Sequence, residues 1–347
     1  MSEHKFPYRW NLKDGYPAAG IEPNGCKVFG TFICGGGSTM GYKLAGFEHL
    51  GGVEIDQSIA DVYQVNHNPK YLYAEDLRLF NQRTDLPQQL YDLDILDGSP
   101  PCSSFSMAGN REKDWGKKKV FREGQSNQVL DDLVFVYIET IKKLQPKVAL
   151  LENVKGLISG NAKAYVKKMK VEIERAGYQM QLFLLNAASM GVPQKRERIF
   201  FICQRNDLKL AKLVLEFNED AIPFKFFEET TGREDSLTED QLKWWSLCKK
   251  GFAFSSVHPK GHWFNAFKLD WNSVLPTLTA SGGNADPFHP ELPRKINSIE
   301  YCCGGTYPQD YNFKSIEPKY LIGMSVPPVM TAQIAHQIWL QWLSKLK

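Results

Sequence analysis

One cysteine of this chain stands where a nucleophile would be held. The stretch Leu93-Asp94-Ile95-Leu96 reads as a short apolar strand running into Gly98, Pro100 and Pro101, where the backbone must turn, and Cys102 follows at once. In an open α/β sheet, ligands bind beyond the carboxyl ends of the strands, so a thiol behind a Pro-Pro turn is placed to meet a substrate. A free thiol has a pKa of about 8.5, so neighbouring positive charge is needed to make it a thiolate at neutral pH. Glu152 follows four apolar residues, Val148 to Leu151, a poorly solvated place from which a carboxyl can hold or deliver a proton. Gln194, Arg196 and Arg198 alternate on the way into Ile199-Phe200-Phe201-Ile202. All three therefore point to one side of the strand, with Lys195 and Glu197 on the other. Two guanidinium groups converging there would form an anion or carbonyl site and could lower the pKa of Cys102. Glu54, closing the run Val53-Glu54-Ile55-Asp56, offers a charged acceptor to both ribose hydroxyls of an adenosine, each bond worth roughly 1 to 3 kcal/mol.

The elements that must position these groups follow from the rest of the chain. Its 347 residues suffice for a full core and two lobes. A net charge of +3 is too small to mark a nucleic-acid binder by itself, so any basic surface is local. The seven cysteines, at 26, 34, 102, 203, 248, 302 and 303, contain no C-x-x-C pair and are odd in number. They indicate neither a metal site nor a disulfide framework, which favours a reducing compartment. No apolar run approaches a membrane span and no signal core opens the chain, so a cytoplasmic protein without membrane association is expected. Residues 1–25, rich in Pro, Gly and aromatics, read as an extended arm on the surface. From residue 27 onward short apolar runs alternate with amphipathic segments, the pattern of a doubly wound, mostly parallel α/β sheet. The turn Phe32-Ile33-Cys34-Gly35-Gly36-Gly37 lets the backbone approach a ligand and opens a helix toward it. Residues 109–128 carry six basic and three acidic side chains with little periodicity, a loop of functional length. Beyond 205 the alternation breaks down into aromatic clusters, which at this density read as the core of a small lobe. The final run places Ile334, Ile338, Trp342 and Leu346 on one helical face that would pack back onto the first lobe.

Pro-Pro-Cys-x-x-Phe-Ser at 100–106 resembles the nucleophile motif of the DNA (cytosine-5-)-methyltransferase family. Further stretches resemble that family's motifs in its order. The Phe32 loop is similar to its F-x-G-x-G-G cofactor loop, with Cys34 in place of a glycine. Glu152-Asn153-Val154, Gln194-x-Arg196-x-Arg198, Tyr307-Pro308-x-x-Tyr311-x-Phe313 and Gly323-Met324-Ser325-Val326-Pro327-Pro328 follow, with Tyr307 in place of a phenylalanine and Met324 in place of an asparagine. The resemblance implies a Rossmann-like S-adenosylmethionine-dependent methyltransferase with a smaller, irregular target-recognition domain. The expected organisation is an arm over 1–25, a catalytic and cofactor-binding domain over 26–205, a recognition domain and return hinge over 206–314, and a closing segment over 315–347.

The resemblance also implies the site. Cys102 adds to carbon 6 of a flipped-out cytosine, Glu152 protonates ring nitrogen 3, Arg198 binds the 2-oxo group, and Arg196 belongs to the same catalytic set. S-adenosylmethionine, leaving as S-adenosylhomocysteine, is expected on Phe32, Gly35, Gly36, Gly37, Glu54, Ile55, Asp76, Leu77, Ser99, Pro101 and Ser325. Glu54 would serve the ribose, Ile55 the adenine face and Asp76 the adenine amino group. Lys117, Lys118, Lys119 and Gln194 are expected at the DNA, and no metal is implied. The implied partner is double-stranded DNA, with a possible cognate restriction endonuclease, and the chain is expected as a monomer. Two rival readings stay open at this point. One is a tRNA cytosine-5 methyltransferase, whose Cys-Phe-Thr signature is absent; the other is a DNA-binding relative without catalysis, which Cys34 and Met324 would suit.

Overall fold

The computed structural model describes residues 4–16, 21–101, 132–158, 162–232, 236–263, 266–280 and 286–347, with backbone alone at 118–119, 128–129 and 162. Its first part runs β1 (Lys27–Thr31), α1 (Gly37–Leu44), β2 (Glu48–Val53), α2 (Gln57–His67), β3 (Tyr71–Tyr73), α3 (Leu77–Gln82) and β4 (Ile95–Gly98). Two short strands, β5 (Lys118–Lys119) and β6 (Gln128–Val129), pair antiparallel with each other. The chain continues as α4 (Leu133–Leu144), β7 (Val148–Val154), α5 (Ala162–Arg175), β8 (Tyr178–Asn186) and β9 (Glu197–Arg205). Among the described residues seven strands form the main sheet in the order β3-β2-β1-β4-β7-β9-β8. The pairings from β3 to β7 are parallel, and β9 enters antiparallel between β7 and β8.

The central strands are almost wholly apolar because both faces are covered. Period two divides them cleanly: Val28, Ile95, Leu150, Phe200 and Ile202 join one core, while Phe29, Leu96, Ala149, Leu151 and Phe201 join the other. The second core is closed by α4 and α5, through Tyr137, Ile138, Ile141, Met169 and Ile173. The first is closed by α1 and by α9 (Pro328–Gln341), which cross closely. A side chain at Gly41 of α1 would put its Cβ 2.4 Å from the Pro328 carbonyl, so only glycine permits that approach. Residues 4–16, read above as a surface arm, bury Phe6 and Trp10 in this same core, and Trp10 Nε1 donates to the Thr306 carbonyl.

Residues 209–223 have no regular secondary structure, yet Leu213 and Ile222 are buried. A buried irregular segment must satisfy its own backbone. Three glutamines do this with side-chain amides, each supplying one donor and one acceptor. Gln204 exchanges hydrogen bonds with Leu210 N and O, Gln181 with Leu213 N and O, and Gln341 with Val214 N and O. The resulting strap is laced to β8, β9 and α9. Beyond it, α6 (Glu239–Leu247) and the three-stranded sheet of β10 (Phe252–Ala253), β11 (Phe267–Lys268) and β12 (Pro287–Phe288) enclose a separate small core of Trp244, Cys248, Phe254, Ala266 and Phe288. Of the aromatics beyond residue 205, Trp244, Phe254 and Phe288 lie in this small core, whereas Phe224 and Phe227 join the first core. α7 (Ser298–Gly305) and α8 (Pro318–Met324) then lead into α9. Among the described residues no helix is long and apolar enough to cross a membrane.

Candidate active site

The ends of β1, β2 and β3 lie side by side at one end of the main sheet. Leaving β1, the chain turns through Phe32 (φ 56°), Cys34 (φ 46°) and Gly36 (φ 77°), and Gly36 caps α1. At Gly36 neither the left-handed backbone nor the space admits a side chain, since a Cβ would lie 2.2 Å from His67 Nε2. The Gly35 carbonyl accepts from His67 Nε2 at 3.3 Å and from the Tyr311 hydroxyl. Burial lowers the His67 pKa to about 3, so the ring is neutral; with Nε2 donating, its buried Nδ1 has no partner among the described residues. Neither His67 nor Tyr311 was singled out from the sequence as a holder of this loop. Tyr311 lies in a quoted motif, but His67 at the end of α2 carries no local signal.

Cys34 donates its N–H to Glu54 Oε2 at 3.0 Å, and its thiol is hydrogen-bonded to the Ser325 side chain. Burial, then the Glu54 charge, pushes the thiol up to about 12, which leaves it protonated and unreactive. Its left-handed φ accounts for the glycine in the family pattern, because a Cβ there costs on the order of 1 kcal/mol. Cys34→Gly is therefore expected to raise the melting temperature by about 1–3 °C. A lowered melting temperature in a thermal scan would show that the thiol contacts outweigh the strain.

Glu54 is buried, and its Oε1 accepts from Asp56 N at 3.0 Å. Burial pushes its carboxyl upward, opposed by the Asp56 and Cys34 N–H groups. A carboxylate offers about four acceptor sites, so these donors and the Ile55 N–H leave a lone pair for a ligand hydroxyl. Ile55 beside it is 40% exposed, an apolar surface at a strand end. Asp76 caps α3, accepting from Arg78 N at 2.8 Å and pairing with Arg78 Nη1 at 3.1 Å, while the Leu77 side chain belongs to the core. Ser325 is buried, with Oγ 2.6 Å from the Tyr307 hydroxyl and donating to the Leu321 carbonyl; Met324 is exposed.

Next to them in the same sheet stand the ends of β4 and β7 and the start of β9. Beyond β4 come Ser99, Pro100 and Pro101, all partly or fully buried. Asn153 Nδ2 donates to the Pro100 carbonyl at 3.2 Å and so anchors the turn to β7. That role was not read from the tripeptide containing it. Cys102 and Lys117 lie outside the described residues, as do the side chains of Lys118 and Lys119. Glu152 Oε1 and Arg198 Nε form an ion pair at 3.0 Å, with each side chain less than a sixth exposed. Burial lowers the Arg198 pKa, and the Glu152 charge opposes this.

The expected sidedness of the β9 entry holds, but two of its three side chains serve other ends. Gln194, expected at the DNA, is 1% exposed; its Oε1 accepts from Leu278 N at 3.0 Å and its Nε2 donates to the Gly304 carbonyl at 2.7 Å. Arg196, expected to converge with Arg198 on the thiol, is 2% exposed and donates through Nη1 to the Leu278 carbonyl and through Nη2 to those of Gly323 and Ser325. Its Nε has no partner among the described residues. The reason is what covers the face: the return segment, residues 275–278, and the α8–α9 junction lie over residues 194 and 196, leaving Arg198 beside Glu152. Among the described residues no cluster of three or more His, Cys, Asp or Glu is arranged for a metal ion.

One end of the sheet thus carries a glycine turn, a buried carboxylate and an apolar shelf at β1–β3 and a carboxyl–guanidinium pair beside an anchored Pro-Pro turn at β4, β7 and β9. The family model for C-5 cytosine-specific DNA methylase matches residues 27–339. Type II methyltransferase M.FnuDI of Fusobacterium nucleatum is 36% identical over 341 residues, covering 90% of this chain and 94% of that protein. Type II methyltransferase M1.HphI of Haemophilus parahaemolyticus is 26% identical over 326 residues, covering 88% and 85%. Among solved structures, an Escherichia coli prophage protein described as a candidate DNA modification methyltransferase superposes with a TM-score of 0.70 at 19% identity, covering 91% of this chain and 99% of that one. DNMT2 of Spodoptera frugiperda gives 0.62 at 16%, covering 90% and 99%. At such identities the superpositions speak to the fold alone.

Proposed function

The chain belongs to the C-5 cytosine-specific DNA methylase family, and from that membership we propose how its own residues carry out the transfer. It is an enzyme that methylates carbon 5 of cytosine in DNA; the tRNA and non-catalytic alternatives are not favoured. The substrate we propose is double-stranded DNA, read by a monomer in a restriction-modification setting with a cognate endonuclease. The type II names of both curated relatives support that setting.

The glycine turn, Glu54 and Ile55 fit S-adenosylmethionine: a turn without side chains at 35–37, a carboxylate with a lone pair to spare, and an exposed apolar shelf. Glu54 would hold the ribose hydroxyls, Ile55 the adenine face and Asp76 the adenine amino group, with Phe32, Gly35, Gly36, Gly37, Leu77, Ser99, Pro101 and Ser325 around them. When bound, the cofactor supplies an electrophilic methyl group on a sulfonium sulfur. The target base must leave the duplex, at a cost of a few kcal/mol, because carbon 6 is unreachable within the stack. Cys102 Sγ, as thiolate, bonds to carbon 6 while Glu152 gives a proton to nitrogen 3 and Arg198 holds the 2-oxo group. Carbon 5, made nucleophilic, takes the methyl group; loss of the carbon 5 proton to water then breaks the carbon–sulfur bond and nitrogen 3 returns its proton. Lys117, Lys118 and Lys119 would contact phosphates. Arg196 and Gln194 hold the return segment rather than the substrate.

The observation that carries this reading is the Glu152–Arg198 pair beside the turn that Asn153 fixes. It is tested by incubating the protein with duplex DNA, or tRNA, and methyl-labelled S-adenosylmethionine, then digesting to nucleosides. Label in 5-methylcytosine from duplex DNA is expected. Label confined to tRNA, or none at all, would overturn it.

A further inference from the structure

Asp97 is a second carboxyl on the sheet face that carries Glu152, and no step of the transfer uses it. In the β4–β7 pairing Asp97 is in register with Leu150, so period two places Asp97, Leu150 and Glu152 on one face, beneath α1. The side chain is 5% exposed. Tyr42 of α1 donates its hydroxyl to Asp97 Oδ1 at 3.1 Å, and Ser38, in the first turn of α1, hydrogen-bonds the same carboxyl. From β1, Thr31 Oγ1 donates to the Asp97 carbonyl at 3.1 Å. Glu152 on β7 acts on the group through its charge, and the carboxyl in turn acts on Tyr137 of α4 and Tyr63 of α2. None of these groups is a cation.

The placement gives the contact its meaning. α1 begins at Gly37, directly after the glycine turn, and β4 leads to the Pro100–Pro101 turn and Cys102 five residues beyond Asp97. One carboxyl therefore fastens the helix behind the cofactor turn to the strand that delivers the nucleophile. We propose that Asp97 is a positioning residue that keeps these two parts of the site in register. The inference rests on the reading that the glycine turn holds S-adenosylmethionine. Burial first, with the Glu152 charge adding to it, pushes the Asp97 carboxyl up to about 7. The neutral acid is tolerated under α1, whereas an ionised one without a cation is not. As the group ionises, the buried charge costs stability, which the Tyr42 and Ser38 donors offset only in part, so the α1–β4 junction opens to water and the cofactor turn loosens.

The sign follows from linkage. A carboxyl whose folded pKa lies above its unfolded value binds protons more strongly when folded, so its ionisation costs stability as pH rises from the unfolded pKa to about 7. Asp97→Asn keeps an oxygen for the Tyr42 hydroxyl but cannot ionise; Asp97→Leu loses both. S-adenosylhomocysteine binding to the full chain is measured by calorimetry from about pH 6 to about pH 8.5, alongside thermal melting without ligand. Wild-type affinity is expected to fall by about fivefold to tenfold across that range, that of Asp97→Asn by less than about twofold, and that of Asp97→Leu to be at least about fivefold weaker than Asp97→Asn at the acid end. In melting, Asp97→Asn gains on wild type over the whole range, and the gain grows until about pH 7 and then levels off. A wild-type pH profile in Asp97→Asn, or wild-type affinity in Asp97→Leu, overturns the role of Asp97 while leaving the cofactor reading intact. Failure of the wild-type chain to bind S-adenosylhomocysteine at any pH overturns the cofactor reading itself.

Discussion

Cys102→Ser is expected to lower methyl transfer by at least about a thousandfold while S-adenosylhomocysteine affinity stays within about twofold. A serine hydroxyl is not ionised at neutral pH and is a far weaker nucleophile than a thiolate. Chemistry would fail at carbon 6 before the methyl group is reached. The decisive measurement uses duplex DNA with 5-fluorocytosine at the target, together with S-adenosylmethionine. Fluorine cannot leave as the proton does, so the wild-type protein should remain covalently joined to the DNA, with the adduct on the peptide containing residue 102. Cys102→Ser should yield no adduct. Turnover by the variant near the wild-type rate, or an adduct mapped to another residue, would overturn nucleophilic catalysis by Cys102.

Arg196→Met is expected to act on stability instead. It leaves the carbonyls of Leu278, Gly323 and Ser325 buried without their donor, a loss on the order of 3–5 kcal/mol. Denaturant unfolding should show a lowered midpoint with an unchanged slope. Arg196→Lys should recover only part of the loss, since one ammonium cannot reproduce the planar fork that reaches three carbonyls. Were Arg196 instead part of the anion site, the variant would unfold like wild type and fail only in catalysis. Arg198→Met serves as the contrast, because its partner is the carboxyl of Glu152 rather than backbone.

What could be read in advance divides along a physical line. β1, β4, β7 and β9 were legible because strands buried on both faces are mostly apolar, and the turns after β1 and β4 are marked by Gly and Pro. β8 was not read. It lies at the sheet edge, alternates exposed and partly buried residues, and carries Gln179 and Gln181 within its apolar run. Alternation also gave the side on which Gln194, Arg196 and Arg198 project, but not what lies over that side. The covering elements come from residues 275–278 and 323–325, far along the chain, so no local pattern could announce them. Asp97 passed as one more residue of a short strand, its partners Ser38 and Tyr42 being some sixty positions earlier. Phe6 and Trp10 looked like surface aromatics for the same reason: their burial depends on elements near residues 306 and 336.

The glutamine-laced strap sets a limit on how this protein ages. An amide answers both a carbonyl and an N–H, but the carboxylate left by its hydrolysis can only accept. Deamidation at Gln181, Gln204 or Gln341 would place negative charge against a peptide oxygen at Leu213, Leu210 or Val214. The strap would peel from the sheet at that point, uncovering Leu213 and Ile222, and old preparations would clump while every atom of the catalytic centre was still intact.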